Sequence, residues 1–142
     1  MNSALLTRLR LLVVFATLGV AVASCSDGAA QSYKTYTPAE VTTFLKQDTT
    51  AVVLDVRTPE EYASETGHLK NAKLIPVQQL EDRIGELASV KNKTVVAYCR
   101  SGHRSKQASE ILSKKGFKII NMDGGITAWN AAGLPTEQGA AK

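Results

Sequence analysis

"VVAYCRSGHRSKQASEILSKKG", Val95–Gly116, sets a single cysteine between an apolar run and a segment with helical periodicity. Thr94–Tyr98 reads as a buried strand, and "SKQASEILSKKG" as a helix with Ala108, Ile111 and Leu112 turned inward. Gly116 supplies the left-handed residue that ends that helix. Cys99 therefore stands one residue past a strand, and the turn from Arg100 to Arg104 must curl tightly to reach the helix, which Gly102 permits. Such a curl points successive backbone N–H groups at its own centre and, with the helix dipole behind them, makes an anion cradle. A sulfur held there ionises readily, because thiolates are stabilised at helix N-termini and beside arginine. Cys99 is thus the candidate nucleophile. On residue type alone, the competing assignment is a core cysteine that packs as a small apolar side chain.

Working outward, the same alternation recurs. "TPAEVTTFLKQ", Thr37–Gln47, opens with a capping box: Thr37 at the N-cap, Pro38 at the first helical position and Glu40 three residues on. "AVVLDV", Ala51–Val56, is a continuous valine-rich run of the kind buried in parallel sheets. "TPEEYASE" repeats the cap with Thr58, Pro59 and Glu61, so a second helix follows at once. "KLIPV" around Leu74 predicts a short strand, and "QLEDRIGELA" predicts a helix carrying Leu80, Ile84 and Leu87 on one face. "FKIINM", Phe117–Met122, is the last strand, and "GGITAWNAAGLP" a closing helix stopped by Gly133 and Pro135. Strands that alternate with helices predict an α/β fold, a mostly parallel sheet flanked by helices on both faces. Ligands of such sheets bind beyond the carboxyl ends of the strands, where Cys99 stands.

The N-terminal segment belongs to a different physical class. Arg8 and Arg10 precede "LLVVFATLGVAVA", Leu11–Ala23, an apolar run of 13 residues. A spanning helix needs about 20, so residues 1–24 read as a cleaved export signal. "VASC", Val22–Cys25, resembles a bacterial lipobox, which makes Cys25 an acylated N-terminus. The alternative is ordinary cleavage after "AVA", before Ser24, giving a soluble periplasmic or secreted protein. The expected organisation is signal 1–24, tether 25–35, domain 36–137 and flexible tail 138–142. The domain is expected on the periplasmic or cell-surface side, lipid-anchored to a bacterial membrane. Removing residues 1–24 takes away two of the charges that make the chain +4, and the remaining Lys and Arg form no basic stripe interleaved with aromatics, so nucleic acid is excluded as partner. With Cys25 acylated, Cys99 has no disulfide partner. One remaining cysteine and two histidines do not fill a structural metal site, and no nucleotide-binding glycine pattern appears, so neither metal nor cofactor is expected.

Four segments together carry a resemblance: "LDVRTPEEY" (Leu54–Tyr62), "GHLKNAKLIP" (Gly67–Pro76), "YCRSGHRS" (Tyr98–Ser105) and "NMDGGITAWNAAGLP" (Asn121–Pro135). In this order they resemble the rhodanese domain of sulfurtransferases, across most of the chain from about Thr37 to Pro135. The resemblance implies that Cys99 takes a sulfane sulfur from a donor such as thiosulfate, holds it as a persulfide and passes it to a thiophilic acceptor, small molecule or protein. It places Arg100, Ser101, Gly102, His103, Arg104 and Ser105 in the persulfide cradle. Asp55 and Arg57 become a scaffold pair bracing the site. Arg100 and Arg104 suit an anionic donor, while pairing with an acidic side chain to close the loop is the structural alternative for either. His68 and Trp129 are expected in the fold rather than in the chemistry. "ASET", Ala63–Thr66, is slightly extended relative to the family, and Asn71 stands where glycine is common; Asn tolerates the left-handed conformation that position asks for.

Three rivals stay beside this assignment. Dual-specificity phosphatases and some arsenate reductases place five residues between cysteine and arginine; here Cys99 and Arg104 have four between them, a smaller mouth that suits one sulfur atom better than a phosphate. A delivery module would receive sulfur at Cys99 and hand it to a protein with little turnover. A redox-sensing cysteine would oxidise without taking up sulfane sulfur.

Overall fold

The computed structural model describes residues 32–140. The export signal, Cys25 and most of the expected tether lie outside the described residues. Among the described residues, five strands form one sheet in the order β1-β5-β4-β2-β3, and every pairing in it is parallel. They are β1 (Lys34–Tyr36), β2 (Val52–Asp55), β3 (Lys73–Leu74), β4 (Thr94–Tyr98) and β5 (Lys118–Met122). The central strand β4 aligns Ala97 with Leu54 on one side and with Asn121 on the other. Both of its neighbours are thereby fixed in register, and its carboxyl end opens directly into the Cys99 loop.

Among the described residues, four α-helices cover the sheet: α1 (Pro38–Gln47), α2 (Pro59–Tyr62), α3 (His103–Lys114) and α4 (Gly125–Ala131). Side chains alternate across each strand, so the core divides in two. Val95 of β4 and Cys99 just beyond it join Leu54, Ala108, Leu112 and Ile119 beneath α3. Val96 and Tyr98 join Val41, Ile120, Ile126 and Trp129 beneath α1 and α4. Helices on both faces agree with the α/β expectation. Both capping boxes form: Glu40 and Glu61 each accept the N-cap backbone N–H while the N-cap threonine accepts theirs.

Two expectations require correction. Lys34–Tyr36, at the boundary between the expected tether and domain, forms β1, pairing with Ile120–Met122 of β5. A three-residue strand at the sheet edge is half exposed and lacks an alternating pattern long enough to read. The expected helix over "QLEDRIGELA" is absent; 3₁₀ turns at Val77–Gln79 and Ile84–Val90 replace it. Neither has a side-chain cap, and Gly85 disfavours an α-helix. The apolar residues nonetheless reach the core, since Val77 and Leu80, then Ile84 and Leu87, lie three apart and share a face at the 3₁₀ period. Leu80 and Leu87 are fully buried. Asn71 adopts φ +56°, as its position in the sequence suggests.

Candidate active site

β4 ends at Tyr98, so Cys99 leaves the sheet pointing to the α3 side. Its Sγ accepts the Gly102 backbone N–H at 3.1 Å. Gly102 makes this possible by adopting φ +95°, and a Cβ there would lie 3.2 Å from the Gly124 nitrogen. The loop carbonyls turn the other way. Cys99 O accepts the N–H of Ile126 at 2.8 Å and Arg100 O that of Thr127 at 3.1 Å. The first turn of α4 has unpaired N–H groups to offer, as every helix start does, and it uses them to hold the loop open-side inward. On the other side α3 begins: Gly102 O accepts Lys106 N–H at 3.1 Å and the Ser105 hydroxyl at 3.1 Å.

Cys99 is 1% exposed and packs among apolar side chains, so the core assignment is half right. It fails on electrostatics. Burial is the largest single influence on the thiol and pushes its pKa up. The backbone N–H and hydroxyl of Ser105, with the N–H groups of Gly102 and Ser101, together outweigh it and hold the thiol below its ordinary value. A structural thiol in apolar surroundings would move the other way. The Ser105 hydroxyl proton rotates freely enough to serve either Gly102 O or a charged sulfur.

The two loop arginines part company. Arg104 grips Glu61 through two parallel bonds, Nη1 to Oε2 at 2.6 Å and Nη2 to Oε1 at 2.7 Å. Glu61 Oε2 also accepts the Thr58 N–H at 3.1 Å, so one carboxylate caps α2 and ties it to the first turn of α3. Arg104 therefore closes the loop. Arg100 is exposed and makes no ion pair among the described residues, leaving it as the cation beside the loop. Ser101 and His103 are also exposed, while Ser105 is buried.

The Arg104 bonds, ahead of the opposing effect of burial, hold the Glu61 carboxyl at about 2 instead of its ordinary 4.5. A carboxylate with a depressed folded pKa stabilises the fold above its unfolded pKa, and this contribution drains away as pH falls from about 4.5 to about 2. Both side chains are about one-quarter exposed, so the pair is worth roughly 1 kcal/mol after solvent screening. Glu61→Gln is expected to lower the urea midpoint at neutral pH, with the gap to wild type closing as the pH approaches 2. A gap independent of pH would show that the ion pair is not its source.

Asp55 and Arg57 form a buried pair behind the loop, 0% and 1% exposed. Arg57 Nη2 meets Asp55 Oδ2 at 2.7 Å and donates to Gly67 O at 2.8 Å, while Nη1 donates to Thr66 Oγ1 at 3.1 Å. The guanidinium lies 5.6 Å from the ring centre of Tyr98, the residue before Cys99. Burial, then the Asp55 charge, pushes the Tyr98 hydroxyl up, and it accepts the Leu69 N–H. His68 is buried and stacked on Tyr62 at 3.9 Å, and Trp129 is buried with its indole N–H on Pro135 O; both belong to the fold. Sequence reasoning missed Glu61 as the partner of Arg104, although its place in a capping box marked it as ordered. It also missed Ile126 and Thr127, whose contribution is backbone only and leaves no side-chain signal.

Residues 37–132 match the model of the rhodanese-like domain. The chain belongs to the rhodanese-like family. Over 90 residues it is 42% identical to a sulfurtransferase of Allochromatium vinosum, covering 62% of this chain and 80% of that one. Over 73 residues it is 41% identical to the thiosulfate sulfurtransferase PspE of Escherichia coli, covering 51% and 68%. The chain matches half the length of a further relative, an uncharacterized Synechocystis protein, at 38% identity. Among solved structures, a rhodanese-like domain protein from Staphylococcus aureus superposes with a TM-score of 0.63 at 34% identity, over 73% of this chain and 98% of that one. The rhodanese fold of these neighbours is the parallel sheet described above, and sulfur transfer is the chemistry named for two of the relatives.

Proposed function

We propose that this rhodanese-like protein moves a sulfane sulfur from a thiosulfate-like donor, through a persulfide on Cys99, to a thiophilic acceptor. One observation carries it: a buried thiol faced by N–H groups of Ser101, Gly102 and Ser105 that outweigh the cost of burial. The Cys99 thiolate attacks the outer sulfur of thiosulfate; a new S–S bond forms, the donor S–S bond breaks, and its electron pair leaves with sulfite. The outer persulfide sulfur then carries the negative charge, which the same N–H groups are placed to receive. Arg100, exposed and unpaired among the described residues, draws in the anionic donor. Arg104, committed to Glu61, keeps the loop in shape. The acceptor attacks the outer sulfur and returns Cys99 as thiolate. The protein acts after export, held to the membrane by lipid on Cys25.

The test is intact mass of the reduced protein after brief incubation with thiosulfate, then a cyanide chase. Addition of one sulfur to Cys99, its release as thiocyanate and its absence in Cys99→Ser are expected. A folded, reduced protein that takes no sulfur from thiosulfate or polysulfide would overturn the proposal.

A further inference from the structure

One end of the fold is rich in lysine. Because all five strands are parallel, their amino ends share one end of the sheet. Lys34 begins β1, Lys118 begins β5 opposite Thr94 of β4, and Lys91 and Lys93 lead into β4. α3 runs back against the strands and delivers Lys114 and Lys115 to the same end. Lys91 lies against Phe117, its Nζ 5.9 Å from the ring centre, which places it beside the start of β5. All six except the half-buried Lys93 are exposed. Lys46, in the last turn of α1, adds a seventh cation. Two acidic groups lie among them: Asp48, whose carboxylate accepts the N–H and hydroxyl of Thr50 and feels the charge of Lys93, and Glu110, one turn before Lys114 on α3 and close enough to act on Tyr33 beside Lys34. The opposite end is mixed in charge: Glu40, Glu60 and Glu61 occupy first helical turns and Asp55 ends β2, but Asp55 pairs with Arg57, Glu61 pairs with Arg104, and Arg100 stands beside the Cys99 loop.

Ser32, the first of the described residues, lies at this cationic end. The Ser32 hydroxyl bonds to that of Ser113 at 2.7 Å, beside Lys114. Seven residue steps separate Ser32 from Cys25, a reach of at most about 25 Å. Ahead of Cys25 is the 13-residue apolar run Leu11–Ala23. A partner near Cys25 thus has the lysines within its range, and one of opposite charge is attracted over a Debye length of about 8 Å.

We infer that the lysine-rich end of the sheet, around Lys34, Lys93, Lys114, Lys115 and Lys118, is a docking surface for an anionic phospholipid bilayer. Lysines near such a surface are attracted by its negative potential without any specific pocket. Docked in this way, the domain presents its carboxyl end outward. The five residues of β4 hold the Cys99 loop about 16 Å above its own lysine end at the usual rise per residue. The site then faces away from the repulsive anionic surface, where anionic donors are depleted. The orientation rests on the anchor proposed at Cys25; the preference for anionic lipid does not.

The processed protein, purified from a bacterial host, is to be mixed with vesicles of phosphatidylcholine alone and with vesicles containing one-third phosphatidylglycerol, at low and high salt. At least about tenfold tighter binding to the phosphatidylglycerol vesicles is expected, lost at high salt. Lys115→Glu with Lys118→Glu should abolish that preference, and the milder Lys115→Gln with Lys118→Gln should reduce it. Lys70→Glu with Lys106→Glu, equal in charge but away from this end, should leave it in place. Equal binding to both vesicles, or equal loss in both reversed pairs, overturns the proposal. So does tighter binding to RNA than to the anionic vesicles. Salt-resistant binding to phosphatidylcholine that disappears in Cys25→Ser reports the anchor, so an anchor that fails leaves the charge comparison intact.

Discussion

Gly125→Ala is expected to destabilise the protein by about 4 kcal/mol or more and to disable sulfur loading at Cys99. Gly125 has φ +56°, and a Cβ there would lie 2.3 Å from Cys99 O and 2.6 Å from both the carbon and oxygen of the Arg100 carbonyl. The left-handed conformation alone costs an L-residue roughly 1–2 kcal/mol. The collision is worse, because its partners are backbone atoms and have no rotamer to escape into. Relief requires the loop to move off α4, which breaks the bonds from Ile126 and Thr127 to the Cys99 and Arg100 carbonyls. Those carbonyls then lose their partners, and the N–H groups facing the sulfur lose their fixed direction. Gly85→Ala is the matched control: no atom lies within 4 Å of the added methyl and its φ is not positive, so it should be neutral or stabilise by up to about 1 kcal/mol. Urea unfolding of both variants, with alkylation of Cys99, makes the comparison. A wild-type midpoint for Gly125→Ala would show that the contact between α4 and the loop is soft.

The contrast between these two glycines parallels what was legible in the sequence. Local signals were. The strand, loop and helix around Cys99, the boxes of Thr37 with Glu40 and Thr58 with Glu61, and the left-handed Asn71 each depend on residues within a turn or two, and the structure forms them. Relations across the fold were not. Glu61 and Arg104 are 43 residues apart; the sequence favours Arg100 as the functional arginine and leaves Arg104 open to a structural role, but it does not name the acidic partner. β1 exists because β5 lies beside it, since Lys34–Tyr36 alone has neither length nor alternation. The segment around Leu80 and Leu87 shows how burial overrides periodicity: a spacing of three or four serves an α-helix or a 3₁₀ turn, and the missing cap with Gly85 decided between them. The lysine-rich end was hidden for a related reason. Lys34, Lys93, Lys115 and Lys118 look scattered along the chain, and only a parallel sheet brings them to one end.

Asp55→Ala is expected to cost about 3–5 kcal/mol, the usual consequence of stranding one member of a buried ion pair. Arg57 does not escape by losing its proton, since a guanidinium stays charged in proteins. Its remaining bonds to Thr66 Oγ1 and Gly67 O satisfy donors without neutralising the charge. Asp55 also accepts the backbone N–H of Arg57 at 2.9 Å, so the substitution leaves a second donor unpaired. A double variant, Asp55→Leu with Arg57→Met, separates the cost of a stranded charge from the value of the pair. It removes both desolvated charges and should regain most of the lost stability, because apolar replacements of buried pairs are often neutral or better. The pair braces the site only if a further property fails to return with stability. The guanidinium packs against Tyr98, next in sequence to Cys99, so the pH at which Cys99 becomes half-reactive toward iodoacetamide should rise in the double variant. A double variant that recovers stability and keeps the wild-type midpoint would make Asp55 and Arg57 part of the fold alone.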